Sequence, residues 1–227
     1  MARKWFIVAV VVVLAGCQPR IEEPVAVVPA QECDYLLAVV VDMSGSYAAQ
    51  MTSDGRAYKF LMHLVERFFR DRIGSNDRII IAQVSGTEKA LLWDGSPRAL
   101  RQEFASAKAF ADFLQSRSNP AGSRIHDGIA ETLEYVMDFP SVASGKTKSA
   151  MFVLSDMDDN FPDSDSSKAR LVQALSEYAK TGGVVGFYWV DHALVSGWRQ
   201  SLKAAGLNTS VVESEISAQP PIPTFDN

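Results

Sequence analysis

The chain has 227 residues, 47% of them apolar and 22% charged, with a formal net charge of −5. That length holds one sizeable domain with a buried core plus terminal segments, and the composition is that of an ordinary globular protein. The acidic balance and the absence of a Lys/Arg cluster exclude a phosphate-tracking groove, so no nucleic-acid partner is expected.

Residues 1–16 read as a targeting segment outside the fold. Arg3 and Lys4 supply positive charge, Trp5 to Leu14 a short apolar core, and Leu14-Ala15-Gly16-Cys17 small residues at a cleavage point. The apolar stretch is too short for a permanent membrane span. Leu-Ala-Gly-Cys resembles the lipobox of bacterial lipoproteins, which implies cleavage before Cys17 and lipidation of that cysteine. An ordinary secretory signal with an incidental cysteine is the alternative. Gln18, not Asp, comes next, and in a Gram-negative cell the resemblance then favours the outer over the inner membrane. The expected location is the cell envelope, with the chain anchored by lipid on Cys17.

Cys33 is the other cysteine. With Cys17 lipidated it has no intramolecular partner, so no disulfide framework is expected. It reads as a small apolar residue where the domain begins, with pairing between molecules as the alternative. Pro19, Pro24 and Pro29 mark residues 17–33 as a tether. The domain is expected over 34–213. Residues 214–227, with Pro220, Pro221 and Pro223, are expected to form a flexible tail.

Within the domain, strands and helices alternate. Leu36–Val41 is a continuous, β-branched apolar run ending abruptly in Asp42, Ser44 and Ser46. It reads as a strand buried on both faces, closed by a turn in which Gly45 permits unusual backbone geometry. Phe60, Leu61, Leu64, Val65, Phe68 and Phe69 recur at helical spacing. Arg78–Val84 is a second buried strand, and Ala90–Trp93 a candidate antiparallel edge. Ser96-Pro97 starts a helical region that continues through Leu100, Phe104, Phe110, Phe113 and Leu114 and has room for one break. Ile125, Ile129, Leu133, Val136 and Met137 predict a helix, Ala150–Leu154 a third central strand ending in Ser155-Asp156, and Ser167–Lys180 another helix, stopped by Gly182-Gly183. Val184–Val190 and Thr209–Val212 complete the strands, with a helix carrying Trp198 and Leu202 between them.

The alternation predicts a Rossmann-like α/β fold: a doubly wound, mostly parallel sheet with one antiparallel edge strand and helices on both faces. Ligands of such sheets sit beyond the strands' carboxyl ends, where strand order reverses. If the strands ending in Asp42 and Asp156 are neighbours, these two carboxylates face each other across that crevice.

Three pieces then come together: Asp42-Met43-Ser44-Gly45-Ser46, Ala121-Gly122-Ser123, and Asp156 after a strand. Together they resemble the metal-ion-dependent adhesion site (MIDAS) of the von Willebrand factor A (VWA) domain family, over about Asp34 to Val212. The resemblance implies that Ser44, Ser46 and Ser123 bind a divalent cation directly, while Asp42 and Asp156 bind weakly or hold its waters. Ser123 stands where the family usually has Thr; the hydroxyl is kept, but the methyl that restricts its rotamer is lost. Hydroxyl and carboxylate oxygens are hard ligands suited to Mg²⁺, with Mn²⁺ or Ca²⁺ as alternatives. Neutral direct ligands leave the cation under-compensated, so a protein partner's Asp or Glu is its natural further ligand. Alternatively, Ser44 and Ser46 cap the following helix, and Asp156 bonds loop amides.

The expectation is therefore a lipid-anchored protein that binds a protein partner through a cation and is not an enzyme. A metal-dependent hydrolase using Asp42 and Asp156 is one alternative. It lacks a second acid two residues after Asp42, a Gly-x-Ser-x-Gly elbow and a phosphate-binding glycine loop. A structural envelope lipoprotein with an unused metal site is the other. Asp156, Asp158, Asp159, Asn160, Asp163 and Asp165 form an acidic loop. It fails the EF-hand pattern, because Ser167 stands where Glu is needed and Phe161 where Gly is. Met43, Tyr47 and His126 are candidate rim residues.

Overall fold

The computed structural model describes residues 32–70, 76–86, 89–119, 122–159, 165–215 and 219–225. The expected signal segment, Cys17 and the tether up to Gln31 lie outside these residues. No described helix is long and apolar enough to cross a membrane.

The run Tyr35–Val41 forms β1, buried from Leu36 onward. It lies inside a six-stranded sheet with β2 (Arg78–Gln83), β3 (Leu91–Gly95), β4 (Lys148–Leu154), β5 (Val184–Tyr188) and β6 (Val211–Glu213), in the order β3-β2-β1-β4-β5-β6. All neighbours run parallel except β2 and β3. The strand order reverses between β1 and β4, whose carboxyl ends align as Val41 opposite Leu154.

Period-two alternation within β1 feeds two cores. Leu36, Ala38 and Val40 pack with the apolar faces of α5 (Ile125–Met137), α7 (Asp165–Lys180) and α8 (Val195–Ala204). Leu37, Val39 and Val41 pack on the opposite face with α2 (Arg56–Phe69) and α4 (Ala107–Gln115). A strand with covered faces cannot use charged side chains to mark its register, and its near-continuous hydrophobicity follows from that. The doubly wound architecture read from the sequence is the one observed.

Local capping set several boundaries. The helical region after Ser96 splits into α3 (Pro97–Glu103) and α4, because Ser96 accepts from the Ala99 N–H and Ser106 from the Ala109 N–H, each at 3.1 Å. A short helix, α1 (Gly45–Ala48), follows Ser44, and a second, α6 (Pro140–Ala143), was not anticipated. β5 stops at Tyr188, short of the expected Val190, because Trp189 adopts φ +72° and leaves the extended ladder.

Residues 219–225 differ from the loose tail expected. Tyr188 Oη donates to the Pro221 carbonyl at 2.8 Å and Arg67 to the Pro220 carbonyl at 2.7 Å. Phe225 packs against Tyr35 and Phe68. The prolines suit an extended strap, which here packs Ile222 and Phe225 on the core that includes α2.

Candidate functional site

Asp42 is the first residue past β1, and its amide donates to the Leu154 carbonyl at 2.9 Å. That bond carries the parallel ladder one step beyond the strand and buries the side chain at the reversal of strand order, where it is 1% exposed. Its Oδ1 accepts from the Ser44 N–H at 2.9 Å and the Ser44 hydroxyl at 2.6 Å. Ser123 Oγ lies 3.1 and 3.0 Å from the two carboxylate oxygens and 2.7 Å from Ser44 Oγ. Ser155 Oγ donates to Oδ2 at 2.9 Å. Asp42 is thus the hub on which hydroxyls from three separate segments converge.

Backbone bonds hold each arm. Gly45 turns the chain with φ +30°, a region that side chains disfavour. Ser44 occupies the N-cap position of α1 but makes no capping hydrogen bond, so the capping alternative does not hold for Ser44. Ser123 is pinned to the end of β2: it bridges Ser85, while the Gly86 amide bonds the Gly122 carbonyl at 2.8 Å and the Arg124 amide the Val84 carbonyl at 2.7 Å. Ser46 belongs to α1, but its side chain lies outside the described residues.

Asp156 follows Ser155 and is half-buried. No hydrogen bond joins it to Asp42, Ser44 or Ser123; its Oδ1 accepts from the Asp158 amide at 3.1 Å, as the loop alternative supposed. Burial pushes its carboxyl above the ordinary range, the Asp158 amide opposes this, and Asp42 adds to the rise. A raised carboxyl binds its proton more readily folded than unfolded, so ionising it as pH rises costs the metal-free fold stability.

Ser155 escaped the sequence reading. Its hydroxyl orients Asp42 and accepts from the Met157 N–H at 2.9 Å, fixing Met157 at φ +64° and with it the turn that carries Asp156. The available signal was its place one residue before Asp156, opposite Asp42 by parallel register. Ser155→Ala leaves a buried carboxylate oxygen and a buried amide without partners. Thermal melts in chelator are expected to show a loss of about 1–3 kcal/mol, and an unchanged melting curve would contradict the orienting role.

Tyr47, in α1, is 6% exposed, and among the described residues its hydroxyl has no hydrogen-bond partner. Burial first, then Asp42 and Asp156, push its phenol well above the ordinary value. The ring meets Trp189 edge-on at 5.5 Å, and the Arg56 guanidinium sits 5.8 Å from the Trp189 ring centre. Met43 is fully buried and does not line the rim. His126 Nδ1 lies 2.8 Å from Asp159 Oδ2, and its ring stacks on Trp198. Within the acidic loop, Asn160, Phe161 and Asp163 lie outside the described residues.

Among the described residues, no Lys, Arg or His forms an ion pair with Asp42 or Asp156. No group of three His, Cys, Asp or Glu side chains gathers there either. The donor set is hydroxyl-rich and hard, built on a buried carboxylate with no countercharge. Burying such a charge is costly unless a cation compensates it. Asp42, Ser44, Ser123 and Asp156 therefore fit a hard divalent cation and suit zinc or copper poorly.

Three solved structures share this architecture. The pilus adhesin SpaC from Lactobacillus rhamnosus GG, in its open conformation, superposes with TM-score 0.55 at 14% identity over 82% of this chain. The chain spans only 28% of the adhesin's length. The SpRpn10 VWA domain matches with TM-score 0.55 at 11% identity, covering 84% of this chain and 90% of that domain. The TFIIH p34 N-terminal domain matches with TM-score 0.52 at 10% identity, covering 83% and 93%. At these identities the likeness is one of fold: the chain has a VWA-like α/β fold. No protein-family model matches the sequence, and comparison with curated proteins yields no match.

Proposed function

We propose that this chain is a lipid-anchored envelope protein whose VWA-like domain captures a protein partner through a divalent cation of the Mg²⁺ type. The observation that carries this reading is the Asp42 hub, a fully buried carboxylate gathering hydroxyls from Ser44, Ser123 and Ser155 with no basic side chain, among the described residues, paired with it. Such a cluster is expensive to maintain for the fold alone. It becomes favourable once a cation sits among its oxygens.

In this reading Ser44 and Ser123, with Ser46, supply the neutral oxygens that bind the cation, while Asp42 and Asp156 hold it from behind. A cation with few anionic ligands keeps Lewis acidity and takes an Asp or Glu carboxylate from the partner. The domain is read as a binder, with no reaction assigned, because its neutral hydroxyl oxygens suit holding a cation for a partner's carboxylate. The fold likeness to an adhesin and to a VWA domain is in keeping with a role in protein interaction. The tether and Cys17 would hold the site at a membrane surface, where a partner on the same surface meets it at high local concentration.

The test uses the full chain in detergent micelles. Calorimetric titration is expected to show one Mg²⁺ or Mn²⁺ site, and affinity capture from envelope extracts a partner retained in Mg²⁺ and released by chelator. Absence of any divalent binding would remove the mechanism. Binding that survives with an unchanged partner set in chelator would reduce the protein to a structural lipoprotein. Cys17 is tested separately by mass spectrometry: acylated Cys17 as the first residue of the mature chain is the expected result.

A further inference from the structure

We propose that the Tyr47 hydroxyl is an additional ligand-positioning group of the metal site, donating a hydrogen bond to a water molecule held on the cation between Asp42 and Asp156. The inference rests on the cation reading above and extends it to a residue outside the Asp-x-Ser-x-Ser, Ser123 and Asp156 set.

Tyr47 is one residue past Ser46, in the short helix that leaves the Asp42 loop. Its ring is buried in the core beneath α2, against Trp189. A buried phenol ordinarily finds a partner for its hydroxyl, and among the described residues this one has none. Phe in the same place would pack as well and carry no unsatisfied polar atom. The two charged groups that act on the hydroxyl are Asp42 and Asp156. Both are acceptors, and the phenol is a donor at neutral pH. Among the described residues no direct hydrogen bond joins it to either carboxylate, so any link between them needs a mediating group.

A water on the cation fits this arrangement. Mg²⁺ retains several of its waters when it binds protein, and a coordinated water needs acceptors for its protons and tolerates a donor on its remaining lone pair. Asp42 and Asp156 supply the acceptors, and Tyr47 the donor. Trp189, whose ring supports Tyr47, itself has a positive φ of +72°. Strained backbone of this kind persists where the surroundings enforce it.

The proposal makes two expectations of opposite sign for Tyr47→Phe in the full chain. Mn²⁺, used as the probe and followed by calorimetry and by the loss of its free-ion electron paramagnetic signal, should bind ~5–10-fold more weakly, the worth of one hydrogen bond. In chelator the same variant should melt ~2–4 °C higher, because it loses an unsatisfied buried hydroxyl. A purely packing role predicts the gain in stability without the affinity loss, so the loss of Mn²⁺ affinity is the discriminating result. Mn²⁺ affinity within twofold of the unaltered chain overturns the proposal and leaves the cation site standing, provided Asp42→Asn abolishes binding in parallel. Failure of the unaltered chain to bind Mn²⁺ overturns both.

Discussion

Asp42→Asn is expected to abolish divalent-cation binding, lowering affinity at least ~100-fold, or about 2.8 kcal/mol, while the fold survives. The amide keeps the volume of the carboxylate. Its oxygen still accepts from the Ser44 amide and hydroxyl, and the Ser155 hydroxyl is free to rotate and accept from the new NH₂ group. What disappears is a negative charge buried at 1% exposure with no described basic residue against it. Losing that charge removes the desolvation cost from the metal-free protein, so its melting temperature in chelator should be unchanged or higher. Asp42→Ala is the contrasting variant. It strands the Ser44 amide and opens a cavity, so it should destabilise by about 2–4 kcal/mol. Saturating Mg²⁺ at 100 times its dissociation constant should add about 2.7 kcal/mol to the unaltered chain and nothing to either variant. Retention of Mn²⁺ binding by Asp42→Asn would show that the hydroxyl hub is not where the cation sits.

Deleting residues 219–227 should produce the largest loss of stability that leaves the site untouched. The described part of this segment places Ile222 and Phe225 on the core beneath α2, buries Pro223, and satisfies Tyr188 and Arg67 through the Pro221 and Pro220 carbonyls. Re-exposing that apolar surface, partly offset by the entropy the freed chain regains, costs about 3 kcal/mol. For a domain of this size, that is a drop of ~6–12 °C in melting temperature. Phe225 lies against Tyr35, and the Lys148 ammonium is 5.8 Å from its ring centre. Those residues open β1 and β4, at the opposite end of the sheet from Asp42 and Asp156. Cation affinity should therefore be unaltered. An unchanged melting curve would mean that the strap is ornamental, and a coupled loss of affinity would mean that it communicates with the crevice along β1 and β4.

Both experiments bear on parts of the molecule that were unequally legible from the chain alone. The apolar runs at Leu36–Val41, Ile79–Ile81 and Ala150–Leu154, alternating with helical stripes such as Ile125, Ile129 and Leu133, were sufficient to anticipate the doubly wound sheet. Hydrophobic period is a local property, and burial on both faces writes it directly into the residues. The Asp42, Ser44 and Ser123 cluster was legible through spacing and position, because turns at strand ends place polar side chains where the topology reverses. The strap was not legible. A run containing Pro220, Pro221 and Pro223 has no period, and the same composition serves a free tail or an extended segment docked on a core.

What the sequence determined by itself was therefore the order of the elements, the cores they form and the oxygen-bearing residues at their ends. Only the tertiary structure decided which hydroxyls reach Asp42, bringing in Ser155, which no motif marks, and setting Asp156 apart from the hydrogen-bonded cluster. It also decided that Tyr47 keeps a buried hydroxyl unpartnered among the described residues. The reason is that contact between residues 42, 123 and 155 is set by the register of parallel strands and the loops pinned to them. Register depends on how whole strands pair across the sheet, and no single stretch of chain contains that information.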